Sequence, residues 1–113
     1  MISSLIVMAA ASVAQLPEAT EHDIRCLAAI AVVVGASKDT EYQNELGRAG
    51  YFFLGKITAH DPDLDITPHL RRIFLGPTFA KEYKQDFTSC LAEVETGRLK
   101  MAKAGEDLSK GRR

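Results

Sequence analysis

The residues of this chain with the most chemistry to offer are few. They are two cysteines, Cys26 and Cys90, three histidines, His22, His60 and His69, and the aspartate-rich stretch Asp61-Pro62-Asp63-Leu64-Asp65. Three alternating aspartates suggest a calcium loop. An EF-hand loop opening at Asp61 needs Gly at its sixth position and Glu at its twelfth, and those positions hold Ile66 and Arg72. A looser set of donors, His60, Asp61, Asp63 and His69, has suitable chemistry for a metal, but helix capping and turn formation account for the aspartates more simply. The histidines are scattered, without His-x-x-x-His or Cys/His zinc spacing. No Gly-x-Ser-x-Gly elbow, phosphate-cradling glycine loop or Cys-x-x-Cys redox pair is present. The sequence therefore predicts no catalytic, cofactor-binding or metal site, and a chain that is not an enzyme.

That leaves the cysteines with a structural task. Leu5 to Ala11 is a short uncharged apolar run, and Ser12-Val13-Ala14 places small residues where a signal peptidase cuts, so residues 1–14 read as an export signal and Gln15 as the first mature residue. The run is too short to span a bilayer, which takes about 20 apolar residues. Nothing in the mature chain reads as membrane-spanning, and the expected location is periplasmic or secreted. In an oxidising compartment an even count of two cysteines predicts one disulfide, Cys26 to Cys90.

The elements that must position this staple are helical. The segment Ile24 to Val34 is the most apolar of the mature chain. Ile24, Leu27, Ala28, Ala31 and Val34 share one helical face, while Ile30, Val32 and Val33 lie off it, so the helix is expected to be buried nearly all round. Thr20 is its expected cap, with Asp23 completing a capping box, and Gly35 its expected stop. A second helix, capped by Asp39 or Thr40, carries the stripe Tyr42, Leu46, Ala49, Phe53 and Ile57. Gly50 and Gly55 in it suggest close helix approach. Thr67-Pro68 opens a short third helix bearing Leu70, Ile73 and Phe74, and Gly76-Pro77 closes it. After Thr78 the series Phe79, Tyr83, Phe87, Cys90, Val94, Gly97, Met101, Ala104 and Leu108 advances by threes and fours, a near-heptad seam with Cys90 on it. The reading is an all-α, four-helix-bundle-like single domain over 15–113, with helices near 21–35, 40–60, 67–75 and 78–108.

Net charge is −1, which provides no global field for nucleic acid or membrane. Residues 15–65 hold 4 basic and 9 acidic side chains and residues 66–113 hold 10 and 6, so the two halves are expected to attract each other within the fold, a basic face for an anionic partner being the alternative. Basic residues are not interleaved with stackable aromatics, and no nucleic-acid partner is expected. The feature with no evident structural use is Tyr51-Phe52-Phe53-Leu54, four large apolar groups that wrap most of a helix circumference. It is the expected partner interface, for an unidentified protein or for a second copy of the chain.

Arg25-Cys26-Leu27-Ala28-Ala29, Tyr51-Phe52-Phe53-Leu54-Gly55-Lys56, Asp61-Pro62-x-Leu64-Asp65 and the late Cys90 resemble a group of small exported bacterial proteins of unknown function. The resemblance spans most of the mature chain and implies no activity. The layout of an exported helical domain with one long-range disulfide is also similar, in architecture only, to the acid-stress periplasmic chaperones. That likeness implies exposure of apolar surface to client proteins at low pH. The sequence thus points to a non-enzymatic binding or structural module, with an acid-stress chaperone as the alternative.

Overall fold

Cys26 occupies the centre of the first helix, and the core is built outward from it. The computed structural model describes residues 15–111, so the export signal expected over residues 1–14 lies outside them. Among the described residues there are four helices and no strand: α1 (Glu18–Ala36), α2 (Thr40–His60), α3 (Ile66–Phe74) and α4 (Phe79–Gly111). None is long and apolar enough to cross a membrane.

α1 starts earlier than its sequence suggests. Pro17 stands just outside it, its fixed φ suiting a helix entry, and its carbonyl accepts from the Glu21 amide at 2.9 Å. Thr20 is therefore within the first turn of the helix and buried, not a cap, and no side chain caps this terminus. Gly35 does not stop α1 either. The helix runs through it to Ala36, with no residue at positive φ, and is closed from outside. The Gln43 side-chain amide donates to the Val34 carbonyl at 3.2 Å and the Ser37 carbonyl at 2.7 Å, satisfying acceptors that the helix end leaves open. Burial all round holds only for the first half. Ile24, Cys26, Ala28, Ala29 and Ile30 are buried, whereas Ala31 is exposed and Val32, Val33 and Val34 are half-buried.

α2 follows its sequence pattern closely. The Asp39 carboxylate accepts from the Glu41 and Tyr42 amides at 3.0 and 3.3 Å, an N-cap of the expected kind. Leu46, Ala49, Phe53 and Ile57 form the buried stripe, and Tyr42 at its head is exposed. The expected close approach does not occur at Gly50, where an added Cβ would meet Leu27 at an ordinary 3.7 Å, nor at Gly55, where it would meet nothing. It occurs at Gly97 of α4, where a Cβ would lie 2.9 Å from the Phe52 ring. α3 begins at Ile66, one residue early, which leaves Pro68 among the first amides that have no helical partner in any case. Its buried residue is His69, while Phe74 is exposed.

The core comprises Cys26, Ile30, Leu46, Ala49, Phe53 and Cys90, with Phe52, Phe87, Leu91 and Val94 packed against it. Cys26 and Cys90 form the disulfide across the α1–α4 contact, with a Cα–Cα distance of 5.6 Å. It closes a 64-residue separation, which in the chain-entropy account stabilises the fold by roughly 4 kcal/mol. Phe53 is completely buried at the centre, so Phe53→Ala should lower the unfolding free energy by about 3–5 kcal/mol in denaturant titrations. Tyr51→Ala, at a side chain 74% exposed, should change it by no more than about 0.5 kcal/mol.

Candidate functional site

Two features stand apart from ordinary helix packing: a charged network laid over the disulfide, and the outer end of α4.

The network begins with Asp23, three residues before Cys26 on α1 and almost wholly buried. Lys56 reaches it from α2, its Nζ 3.0 Å from Asp23 Oδ1. That contact is short but poorly aligned, and Oδ1 accepts no directed hydrogen bond, so the pair is held by charge. The same ammonium donates to Glu93 Oε1 of α4 at 2.6 Å and lies over the rings of Phe52 and Phe53 at 5.5 and 5.6 Å. The second carboxylate oxygen of Glu93 accepts from His22 Nε2 at 2.8 Å, and that nitrogen also lies 3.6 Å from Cys26 Sγ. One carboxylate thus joins α1, α2 and α4 directly above the sulfur bridge.

The protonation equilibria follow this geometry. Burial alone would raise Glu93, but hydrogen bonds from Lys56 and His22 outweigh it and hold the carboxyl below the ordinary glutamate range. Burial likewise opposes charge on Lys56, and the adjacent Glu93 and Asp23 carboxylates overcome it and raise its value. On the other side of α1, Glu21 is held low mainly by its hydrogen bonds with Arg72 of α3, a two-pronged pair at 2.8 and 2.7 Å. Arg25 joins α1 to α4 through Asp86 at 2.9 Å and Glu82 at 3.2 Å. These last groups line a cleft of about 340 Å³, in which Arg25 and Arg72 are each already paired to a carboxylate.

The expected attraction between an acidic half and a basic half describes only one of these links. Glu21–Arg72 pairs first-half acid with second-half base, whereas Arg25–Asp86, Lys56–Glu93 and His22–Glu93 run the other way.

The expected interface residues do not share a surface. Tyr51 points outward, Phe52 and Leu54 are half-buried, and Phe53 belongs to the core. Phe52 is spent within the fold: its ring stands edge-on to Phe53 at 5.1 Å and covers Gly97 of α4. Four apolar residues in succession point in four directions about a helix axis, and here the fold buries Phe53, half-buries Phe52 and Leu54 and leaves Tyr51 outside. The loose metal set does not assemble either. His69 is buried in α3 and its Nδ1 accepts from Arg72 at 3.3 Å, whereas His60, Asp61 and Asp63 are exposed. Among the described residues the donors that do converge are His22, Cys26 and Glu93, whose ligand atoms all lie within 4.8 Å of one another. The signal for two of them was the i, i+4 spacing of His22 and Cys26 on α1, a one-turn histidine–cysteine pair that the sequence reading, finding no Cys/His zinc spacing, does not count.

The second feature is an arm. From Arg98 to Gly111 every residue of α4 is exposed, including Leu99, Met101 and Leu108. At about 1.5 Å per residue this is some 20 Å of helix beyond the packed body. Ion pairs one turn apart, Lys103–Asp107 at 3.5 Å and Lys110–Glu106 at 2.9 Å, support it.

Comparison with protein-family models, with curated proteins and with solved structures finds no match to this chain.

Lys56→Met leaves Asp23 buried without its counter-charge and should destabilise the fold by about 3 kcal/mol, the low end for breaking a buried pair because Lys56 also reaches solvent. Asp23→Asn in the same background should restore most of that loss in denaturant titrations. Because Glu21 and Glu93 are depressed in the fold, their stabilisation is present above the unfolded glutamate value, about 4.3, and is lost as pH falls through the folded values. Thermal midpoints should hold between pH 7 and about 5 and decline below about 4, and Glu21→Gln/Glu93→Gln should flatten that decline.

Proposed function

We propose that this chain is an exported, non-enzymatic binding module whose docking element is the outer end of α4. The observation that supports the reading is the unbroken exposure of Arg98–Gly111 along a helix whose inner half is packed. Phe87, Val94, Met101 and Leu108 recur every seven residues, and Cys90, Gly97 and Ala104 do the same. The inner members of this seam pack on the body; Met101, Ala104 and Leu108 continue the same face into solvent. The natural occupant of such a stripe is another amphipathic helix. A second copy of the arm, antiparallel about the midpoint between Lys103 and Ala104, brings Lys100 of one chain opposite Asp107 of the other. A buried long-range disulfide fits an oxidising compartment and so supports export, periplasmic or secreted.

A second reading, the acid-stress chaperone, is favoured by one observation. Glu21 and Glu93, which join α1 to α3 and α4, are the carboxylates that protonation would release. That reading requires suppression of client aggregation at acidic pH.

Sedimentation of the full chain over a concentration series, with Met101→Glu/Leu108→Glu beside it, tests the arm. Reversible dimerisation lost in the variant, with an unchanged thermal midpoint, is the expected result. A wild-type chain that stays monomeric removes self-pairing as the use of the arm.

A further inference from the structure

We propose that the dithiol form of this chain binds one zinc ion at the position now taken by the disulfide, through His22 Nε2, Cys26 Sγ, Cys90 Sγ and Glu93 Oε2. The proposal is independent of the arm.

The four donors come as two pairs on two crossing helices. His22 and Cys26 are one turn apart on α1, and Cys90 and Glu93 are one turn apart on α4, with the cysteine Cα atoms 5.6 Å from each other. His22 Nε2 lies 2.8 Å from Glu93 Oε2 and 3.6 Å from Cys26 Sγ. Zinc–nitrogen bonds of about 2.0–2.1 Å and zinc–sulfur bonds of about 2.3 Å give a tetrahedron with a nitrogen–sulfur edge of about 3.6 Å. The histidine and Cys26 thus already stand at that edge. The histidine–carboxylate edge has to open by roughly half an ångström. The two sulfurs, no longer bonded in the dithiol, stand about 3.8 Å apart in such a tetrahedron.

The electrostatics agree. Two thiolates and Glu93 carry three negative charges against the two positive charges of zinc. The remaining charge faces Lys56, whose Nζ is 2.6 Å from the other oxygen of Glu93, so one carboxylate can bridge metal and ammonium. Two thiolates and an imidazole select zinc over magnesium or calcium. Both cysteines are buried, whereas the His22 side chain is half exposed and provides the approach from solvent.

The disulfide and the metal exclude each other. A dithiol or phosphine reductant gives two electrons to the Cys26–Cys90 bond and is itself oxidised, and the sulfurs take up two protons as thiols. Zinc then displaces those two protons to solvent as its two bonds to sulfur form. A newly made chain is a dithiol before its disulfide closes, so disulfide and zinc compete for the same two sulfurs.

The test uses the full chain reduced with a phosphine and freed of excess reagent, titrated with cobalt(II) and then with zinc, with helicity followed by circular dichroism. Expected are the intense visible bands of a tetrahedral thiolate site, saturation at one equivalent, displacement by zinc, and no such bands in the oxidised protein. His22→Ala and Glu93→Gln should each weaken binding at least about tenfold, and His60→Ala should leave it unchanged. If reduction unfolds the chain, metal must restore its helicity. The proposal is overturned by absence of the tetrahedral spectrum, by equal binding to the oxidised protein, by reduced chain that stays unfolded with metal, or by His22→Ala and Glu93→Gln variants that bind as tightly as the wild type.

Discussion

The bond between Cys26 and Cys90 is the constraint on which the rest of this structure depends. α4 is much the longest helix, yet only two of its residues, Phe79 and Cys90, are buried, and it meets the body along a narrow seam. A seam made largely of half-buried side chains, Phe87, Leu91 and Val94, would hold a helix of this length weakly. The covalent link at its middle changes that. It fixes which turn of α4 meets which turn of α1, so that Phe52 can close over Gly97 and Phe53 can fill the space between three helices. In a chain this small, with a core of this size, roughly 4 kcal/mol from the closed loop is a large share of the whole stability.

The charged groups fix orientation around that point. Asp23 is buried where water cannot solvate it, a costly placement that only a nearby cation relieves. Lys56 can supply that cation only when α2 lies alongside α1 with Phe53 inward, because the lysine stem follows the same helix face as the two phenylalanines. Glu93 then ties α4 into the arrangement through both oxygens. Wrong packing of α1 against α2 strands the buried Asp23, so this pair discriminates among packings even where its net contribution to stability is small. The same placement puts a histidine and a carboxylate within ligand distance of a buried sulfur.

The arm of α4 persists as helix without packing because its own residues favour helix. Lysine, alanine, glutamate, leucine and methionine dominate it, and two ion pairs at one-turn spacing brace it. The seam pattern does not break where the body ends; only the partner does. A periodicity continued past the last packed residue leaves an apolar stripe facing water, which in a helix is the arrangement used for pairing with another helix.

The sequence by itself determined the all-α class, the helical spans to within a few residues, the start of α2 at Asp39 or Thr40, the buried stripe of α2 apart from Tyr42 and the pairing of the two cysteines. Each of these rests on spacing along one helix or on a residue's local bonding, and spacing is written in the chain. It could not determine what lay opposite each face. Thr20 and Gly35 looked like helix ends because their residue types suit ends, but the burial of Thr20 and the reach of Gln43 from α2 moved both boundaries. Tyr51 to Leu54 looked like a surface because it is locally apolar, and tertiary packing divided it. The half-by-half charge totals misdescribed the ion pairs because a charge pairs with what packing brings within about 3 Å, not with the mean of a distant segment. The convergence of His22, Cys26, Cys90 and Glu93 needed two helices to cross at one point, and only the tertiary structure places that crossing.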